Sequence, residues 1–318
     1  MRLTEQGRNI DVTVSEVGPR DGLQSIKRAM PTELKIRWVQ ALADAGVPEV
    51  EVGSFVSPKL LPQMSDTGEV VKAARAIAGL KVLALVPNLK GAELALAAGV
   101  HTITMPVSAS RAHSQSNVRM TPEEAVEQVR QVRQMLAAQG ASVELEVGIS
   151  TAFGCTMQGE VPEDYVMQLA RELAAAGVES IGLSDSVGYA NPTQVRRMFK
   201  RLREEIGSRA GAAHFHNTRG QGLANVIAAL EVGVTTFDAS QGGIGGCPYA
   251  PGATGNIVTE DLVFLLESMG LRTGIDLEKL VAAREIIRQG LPGEEIYGHV
   301  PDAGLPKNFH YAGGAPRG

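Results

Sequence analysis

The chain repeats one kind of unit eight times: a short run rich in β-branched residues, followed by a longer segment with helical periodicity. The predicted strands cover residues 10–16, 47–52, 81–86, 101–107, 143–149, 180–184, 212–215 and 234–239. Four helical segments end in Ala-Gly-Val or a close variant, which is typical of a helix that stops at a left-handed glycine before a strand, at Gly46, Gly99, Gly177 and Gly233. Eight such units predict an α/β fold, the (β/α)8 TIM barrel. A doubly wound sheet is disfavoured because it needs fewer units and usually has a Gly-x-Gly-x-x-Gly turn after its first strand.

We expect residues 1–290 to form one barrel domain, with residues 291–318 as a short C-terminal extension without an assigned role. Aromatic residues make up only 4% of the chain, so the core must consist mainly of Val, Ile, Leu, Ala and Met. A net charge of -5 argues against a nucleic-acid partner. Two cysteines provide no disulfide framework, and no apolar run reaches the roughly 18 residues of a membrane span. The start of the chain lacks the apolar run of a signal peptide, and a cytoplasmic location is predicted.

A TIM barrel carries its catalytic groups at the C-terminal ends of the strands and in the loops that follow them. Polar residues occur at several of these places in the sequence. The candidates are Arg20 and Asp21 after strand 1, Glu51 on strand 2, Asp185 at the end of strand 6, His214 and His216 on strand 7, and Cys247 and Asn256 in the loop after strand 8. That loop, residues 242–256, contains six glycines and two prolines, so it is neither helix nor strand. Without partners elsewhere in the chain it would be interpreted as a flexible surface loop with an incidental thiol.

His214 and His216 are separated by one residue at a strand end, so their side chains point to the same face. A metal site is the preferred interpretation, and a hydrogen-bonded structural pair is the alternative. Asp21 and Asn256 are oxygen donors on neighbouring loops. Two imidazoles with a carboxylate and an amide oxygen favour Mg²⁺ or Mn²⁺ over zinc, for which no thiolate or third histidine is positioned.

The remaining candidates allow more than one role. Arg20 either forms a weak surface salt bridge or stabilises a developing oxyanion beside the metal. Glu51 and Asp185 either hold another group in place or act as general acid or base. Cys247 is a proton donor to a carbanion, a nucleophile, or has no role.

Taken together, these residues resemble the 3-hydroxy-3-methylglutaryl-CoA (HMG-CoA) lyase family, metal-dependent barrel lyases related to isopropylmalate and homocitrate synthases. The resemblance covers about residues 10 to 290. Its segments are 16–24 (Glu-Val-Gly-Pro-Arg-Asp-Gly-Leu-Gln), 54–59 (Ser-Phe-Val-Ser-Pro-Lys), 86–91 (Val-Pro-Asn-Leu-Lys-Gly), 184–188 (Ser-Asp-Ser-Val-Gly), 214–216 (His-Phe-His) and the Gly-rich loop. The cysteine in that loop is typical of the lyases and not of the synthases.

The resemblance implies cleavage of HMG-CoA to acetoacetate and acetyl-CoA, with a divalent ion bound by Asp21, His214, His216 and Asn256. The substrate would chelate the ion through its tertiary hydroxyl and distal carboxylate. His214, or a group acting through it, would take the hydroxyl proton. Arg20 would stabilise the thioester oxygen, while Cys247 would protonate the enolate carbon or secure closure of the loop. Glu51 would be an acid/base or orienting group, and Asp185 a support for the histidine pair. An acyl-CoA substrate and a homo-oligomer, a dimer or larger, are also implied.

Four segments depart from the family pattern: Asn217 after the histidine pair where Asp is usual, residues 150–157, residues 105–110 with His113, and the tail. These changes leave the metal ligands intact and flank the expected acyl pocket. A lyase for a related 3-hydroxy-3-alkyl or citramalyl-type CoA thioester is therefore an alternative. A Claisen-type synthase is disfavoured because only about 30 residues follow the barrel. A barrel that binds acyl-CoA without catalysis is disfavoured by the complete set of reactive residues.

Overall fold

The computed structural model describes residues 2–3, 9–245 and 255–314, and within these ranges the chain forms a closed parallel barrel of eight strands. The barrel strands, numbered in chain order, are β1 Thr13–Glu16, β2 Glu49–Ser54, β3 Lys81–Leu85, β4 Thr102–Ser108, β5 Glu144–Ser150, β6 Ser180–Asp185, β7 Ala210–Phe215 and β8 Thr236–Ala239. Each strand pairs in parallel with the next, and β8 pairs with β1. The predicted TIM barrel is confirmed.

Helices connect consecutive strands and cover the outside of the barrel. They are α1 Thr32–Asp44, α2 Thr67–Ala74, α3 Leu89–Ala98, α4 Arg111–Asn117, α5 Pro122–Ala138, α6 Glu163–Ala175, α7 Pro192–Ile206, α8 Gly222–Glu231, α9 Thr259–Ser268, α10 Leu277–Gly290 and α11 His299–Ala303. The four glycines predicted to end helices all have positive φ, between 82° and 98°. They allow each helix to turn directly into the next strand without the steric cost that a Cβ would impose.

The first barrel strand is shorter than the sequence predicts. Residues 9–10 pair antiparallel with residues 2–3 and do not join the barrel. The backbone N–H groups of Asp11 and Val12 both donate to the carbonyl of Arg272, at 2.9 and 3.3 Å. The Asp11 carboxylate also accepts two hydrogen bonds from the Arg272 guanidinium. Because these residues are bonded to the α9–α10 connection, the barrel strand begins only at Thr13.

The barrel separates an apolar layer from a polar interior. Valine, isoleucine, leucine and alanine side chains from alternate strand positions are buried against the surrounding helices. The interior face carries acids, hydroxyls and imidazoles. Among them, Glu51 on β2 accepts from Thr104 on β4, and His214 on β7 bonds to Asp238 on the adjacent strand β8. Since parallel strands all end at the same rim, this polar interior opens where the predicted catalytic groups lie.

Residues after α10 fold back onto the barrel. The Asp261 carboxylate on α9 accepts hydrogen bonds from the backbone N–H groups of His299 and Val300, at 2.9 and 2.8 Å. At the other end of α9, Glu267 accepts from the N–H of Ala312 at 2.8 Å. The division at residue 290 into a barrel and a tail with a separate role stays a prediction. No helix among the described residues has the length and apolar character needed to span a bilayer.

Candidate metal centre and active site

Three of the four predicted metal ligands form a compact cluster at the C-terminal rim of the barrel. Asp21 lies in the helical turn Gly18–Gly22 that follows β1, His214 lies near the end of β7, and His216 comes directly after that strand. One ligand atom from each lies within 4.8 Å of the other two. The sequence placed these residues on distant segments, and closure of the barrel brings them together.

The two imidazoles face each other through their Nε2 atoms, which are 3.1 Å apart. The Nδ1 atom of His214 lies 3.0 Å from Oδ2 of Asp238 on β8. A carboxylate at Nδ1 fixes the proton there and leaves the Nε2 lone pair for a metal. Burial lowers the pKa of His214, but the hydrogen bond and charge of Asp238 outweigh burial and raise it overall. Two Nε2 atoms in this position suit a shared cation better than a hydrogen bond between neutral rings.

Asn256 is held next to the histidines by its backbone. It forms a β-bridge with His216, and the following N–H of Ile257 donates to Phe215. Its Nδ2 donates to Oδ2 of Asp21 at 2.7 Å and to the carbonyl of Ile244 at 3.3 Å. Its Oδ1 is buried and accepts no hydrogen bond from any described residue. A buried oxygen left without a donor costs about 1–3 kcal/mol.

The unsatisfied amide oxygen completes a donor set of one carboxylate, two imidazoles and one carbonyl-type oxygen. Such a mixed, oxygen-containing set fits a divalent ion such as Mg²⁺ or Mn²⁺. Burial raises the pKa of the Asp21 carboxyl, but Arg20 and the two histidines lower it more, to about 2. Asp21 therefore remains a charged ligand at any physiological pH.

Arg20 joins the cluster to the barrel interior. Its Nη1 donates to Oδ1 of Asp21 at 2.6 Å, and its Nε donates to Oε2 of Glu51 at 2.5 Å. The other oxygen of Glu51 accepts from the hydroxyl of Thr104 on β4. Burial raises the pKa of Glu51, and the neighbouring guanidinium only partly offsets this. With side-chain exposures of 13% for Arg20 and 3% for Glu51, the contact is not a surface salt bridge.

The carboxylate of Asp185 is bonded to its own turn. Its two oxygens accept from the backbone N–H groups of Tyr189 and Ala190, at 2.8 and 3.0 Å. Burial raises its pKa to about 6, although these hydrogen bonds act in the opposite direction. The residue that bonds to the His214 ring is Asp238, which the sequence-based reasoning missed. No signal in the sequence alone gives this contact, because it depends on the register between β7 and β8, which sets Asp238 opposite His214.

The Gly-rich loop is described only at its two ends, residues 242–245 and 255–256, and Cys247 lies outside the described residues. Residues 242–245 and Asn256 are buried and Gly255 is half-buried, unlike the ends of a free surface loop. A Cβ on Gly255 would lie 1.6 Å from the carbonyl oxygen of Gly243. The glycine therefore lets the two ends approach each other closely, which brings Asn256 to the cluster.

The fold and the site define a (β/α)8-barrel protein with a candidate divalent-metal centre at the C-terminal ends of its strands. Comparison with known proteins identifies the family to which the chain belongs. The family model described as HMGL-like matches residues 11–287. Because this match covers most of the chain, the protein belongs to the HMGL-like family. It is an enzyme of the carbon–carbon lyase class, and its family depends on divalent metal ions.

Individual proteins of known name are similar to this chain over most of its length. Hydroxymethylglutaryl-CoA lyase YngG of Bacillus subtilis is 41% identical over 278 residues, 87% of this chain and 92% of that protein. The human mitochondrial hydroxymethylglutaryl-CoA lyase is 39% identical over 280 residues, 88% of this chain and 86% of that protein. The solved structure of an HMG-CoA lyase from Acinetobacter baumannii, in complex with coenzyme A and 3-methylmalate, superposes with a TM-score of 0.88 at 38% identity. It covers 94% of this chain and 97% of its own.

Proposed function

We propose that this protein cleaves 3-hydroxy-3-methylglutaryl-CoA to acetoacetate and acetyl-CoA in a divalent-metal-dependent retro-Claisen reaction. The observation that carries the proposal is the contact between Arg20 and Asp21, which sets a guanidinium beside a candidate centre of two imidazoles and an unsatisfied amide oxygen. The similarity to hydroxymethylglutaryl-CoA lyases supports this substrate.

The residues of the site can be matched to the steps of this cleavage. Asp21, His214, His216 and Asn256 would hold the ion, which supplies electrophilic stabilisation of negative charge on substrate oxygens. With Nε2 of His214 engaged by the ion and its Nδ1 proton held by Asp238, the ring would have no free lone pair, so the proton of the tertiary hydroxyl goes to a base acting with His214, for which the Asp238 carboxylate is the candidate. The C2–C3 bond then breaks, its electron pair passes to the thioester as an enolate, and C3 becomes the ketone of acetoacetate. Arg20 donates to the enolate oxygen. Protonation at carbon, for which Cys247 is the proposed donor, releases acetyl-CoA.

An assay for acetyl-CoA release with and without a chelator tests the proposal. We expect cleavage that stops on chelation and returns with Mg²⁺ or Mn²⁺, and that is lost in Arg20→Met and His214→Ala. A wild-type protein that shows no metal-dependent cleavage would overturn it. The same assay separates the lyase from a synthase, which would consume acetyl-CoA, and from a barrel that only binds acyl-CoA.

One observation favours a second candidate, a lyase of the same mechanism for a related acyl-CoA. At the ends of β4 and β5, the Ser108 hydroxyl lies 2.7 Å from Nδ1 of His113 and 2.9 Å from the hydroxyl of Ser150. This polar cluster lies in the two segments, residues 105–113 and 150–157, that depart from the family pattern, and this departure supports the second candidate. Comparison of kcat/KM for HMG-CoA, longer 3-alkyl analogues and citramalyl-CoA distinguishes the two candidates.

The proposal also covers the identity of the ion, the class of substrate and the oligomeric state. The ion is Mg²⁺ or Mn²⁺, and the substrate is recognised as a CoA thioester. We also propose a homo-oligomer, a dimer or larger, which sedimentation equilibrium tests directly. A cytoplasmic location stays a prediction from the sequence.

A further inference from the structure

A buried ion pair lies outside the catalytic cluster, between two helices that follow the barrel strands. Arg284 on α10 and Glu260 on α9 are 2% and 0% exposed, with Nη1 and Oε1 at 2.7 Å. Burying two charges is expensive, and a buried pair is weak evidence for stability by itself. What distinguishes this pair is the set of additional groups that it binds.

Each member of the pair bonds to backbone near the start of the Gly-rich loop. Glu260 bonds to Gly242, the first residue of that loop, and Arg284 bonds to Tyr297, which is itself bonded to Gly242. Oε2 of Glu260 accepts from the N–H of Gly242 at 3.2 Å, and Nη1 of Arg284 also donates to the carbonyl of Tyr297 at 2.8 Å. The N–H of Tyr297 in turn donates to the carbonyl of Gly242 at 2.7 Å. Gly242 has φ +69°, and a Cβ there would lie 2.9 Å from Cβ of Ile296. Gly242 is thus fixed on both sides of its backbone.

The described ends of the loop connect Gly242 to two of the metal ligands. Gly243 abuts Gly255 so closely that no side chain fits between them. The carbonyl of the next residue, Ile244, accepts from Nδ2 of Asn256 at 3.3 Å, and the same Nδ2 donates to Asp21 at 2.7 Å. A continuous set of short contacts therefore joins the Arg284–Glu260 pair and the C-terminal segment to the candidate metal centre.

We propose that Arg284, with Glu260 and the backbone of residues 296–297, is a positioning element for the metal centre. It acts by fixing Gly242 and through it the placement of Asn256 and Asp21. The inference rests on the proposed metal site and assigns a role to the C-terminal extension, for which the sequence provides none. Residues that orient metal ligands typically change metal affinity 10–100-fold when altered.

The test measures Mn²⁺ binding to the full-length protein after chelation, with free Mn²⁺ followed by electron paramagnetic resonance. We expect Arg284→Met and Glu260→Gln to raise the Mn²⁺ dissociation constant about 10–100-fold. Arg284→Lys retains the charge and one donor nitrogen, so it should recover part of the affinity. Folding is checked in each variant by the fluorescence of Trp38, the single tryptophan of the chain. If Arg284→Met does not fold, Glu260→Gln and Arg284→Lys still give the comparison.

Glu267 provides a matched control on the same helix. It is also a buried glutamate, and it accepts hydrogen bonds from Thr273 and Ala312 at the end of α9 remote from Gly242. Glu267→Gln should lower the melting temperature without changing the Mn²⁺ dissociation constant. If the Glu260 and Arg284 variants also lose stability while binding Mn²⁺ within twofold of wild type, the pair is only structural and the proposal is wrong.

The outcome is separable from that of the proposed function. Wild-type protein that binds Mn²⁺, loses this binding in His214→Ala and does not cleave HMG-CoA would refute the proposed function, while the positioning role would stand. Mn²⁺ binding that is unaffected by His214→Ala would refute the positioning role, because the ion would then lie elsewhere.

Discussion

Asp238 lies 3.0 Å from Nδ1 of His214, and this contact directs the other nitrogen of the imidazole towards His216. The two residues occupy paired register positions on adjacent strands, so the barrel itself sets their separation. A ligand histidine that is oriented by a carboxylate has a fixed tautomer and a more basic coordinating nitrogen. Asp238 is therefore part of the site although it does not belong to the predicted ligand set.

Asp238→Asn should reduce metal affinity and activity together. The amide keeps the size of the side chain, but its oxygen accepts the hydrogen bond from the Nδ1–H group more weakly, and it can present its NH₂ group instead. We expect a Mn²⁺ dissociation constant raised about 10–100-fold and a lower kcat at saturating metal. Calorimetric titration with Mn²⁺ and steady-state kinetics measure both. Unchanged affinity and unchanged kcat would show that His214 is oriented by other groups.

Glu51→Gln should affect the chemistry more than the metal. The substitution keeps the shape of the side chain and leaves an oxygen for Thr104, but it removes the charge that faces the guanidinium of Arg20. A hydrogen bond to a charged partner is worth about 1.5–3 kcal/mol, so misplacing Arg20 should lower kcat about 10–100-fold. The Mn²⁺ dissociation constant should stay within a few-fold of wild type, since Glu51 is not a ligand. A variant with normal kcat and weakened metal binding would contradict this assignment.

Local patterns in the sequence predicted the fold and the rim of the barrel on which the candidate site lies. Helix ends at glycine and runs of β-branched residues are local signals, and eight strand-like runs, four of them preceded by such a glycine, specify the barrel. Once the barrel is assigned, strand order brings Asp21, His214 and His216 to one rim, and their ligand atoms do lie together. Arg20 follows β1 and Glu51 lies on the neighbouring strand β2, so their contact agrees with the strand order, although no pairing between them was predicted.

The parts that could not be predicted depend on register or on contacts between distant residues. Asp238 lies between Phe237 and Ala239 on β8, and only the pairing of this strand with β7 shows that the carboxylate faces the His214 imidazole. The contact between Gly242 and Tyr297 joins residues 55 positions apart through backbone atoms, which no side-chain pattern reveals. The start of β1 was misplaced for a similar reason, because Asp11 is held by Arg272.

Glu16 should make the stability of the protein depend on pH. Burial raises the pKa of this carboxyl from 4.5 to about 8, although hydrogen bonds from Thr259, Gln241 and Gly18 lower it. Between pH 4.5 and 8 the unfolded chain loses this proton while the folded protein keeps it. The free energy of unfolding therefore falls as pH rises through this window, by at most about 1.4 kcal/mol per pH unit.

The variant Glu16→Gln isolates this effect because an amide does not ionise. We expect the stability of the variant to improve relative to wild type between pH 5 and pH 8 and the difference to level off above pH 8. Urea unfolding at several pH values, followed by tryptophan fluorescence in the presence of a chelator, provides the measurement. A difference that is constant with pH would mean that Glu16 ionises alike in both states.

Gly255→Ala should disable the metal centre while the barrel stays folded. The added Cβ would meet the carbonyl oxygen of Gly243 at 1.6 Å, and because this neighbour is backbone, the two loop ends must move apart. Such a movement displaces Asn256 from Asp21, and we expect metal affinity to fall at least tenfold and activity with it.

Gly68→Ala is the control, since a Cβ there has no heavy atom within 4 Å and the residue lies inside helix α2. The control should bind metal as wild type does and gain up to about 1 kcal/mol of helix stability. Equal metal affinity in both variants would show that close approach of Gly243 and Gly255 is not needed to place the ligand.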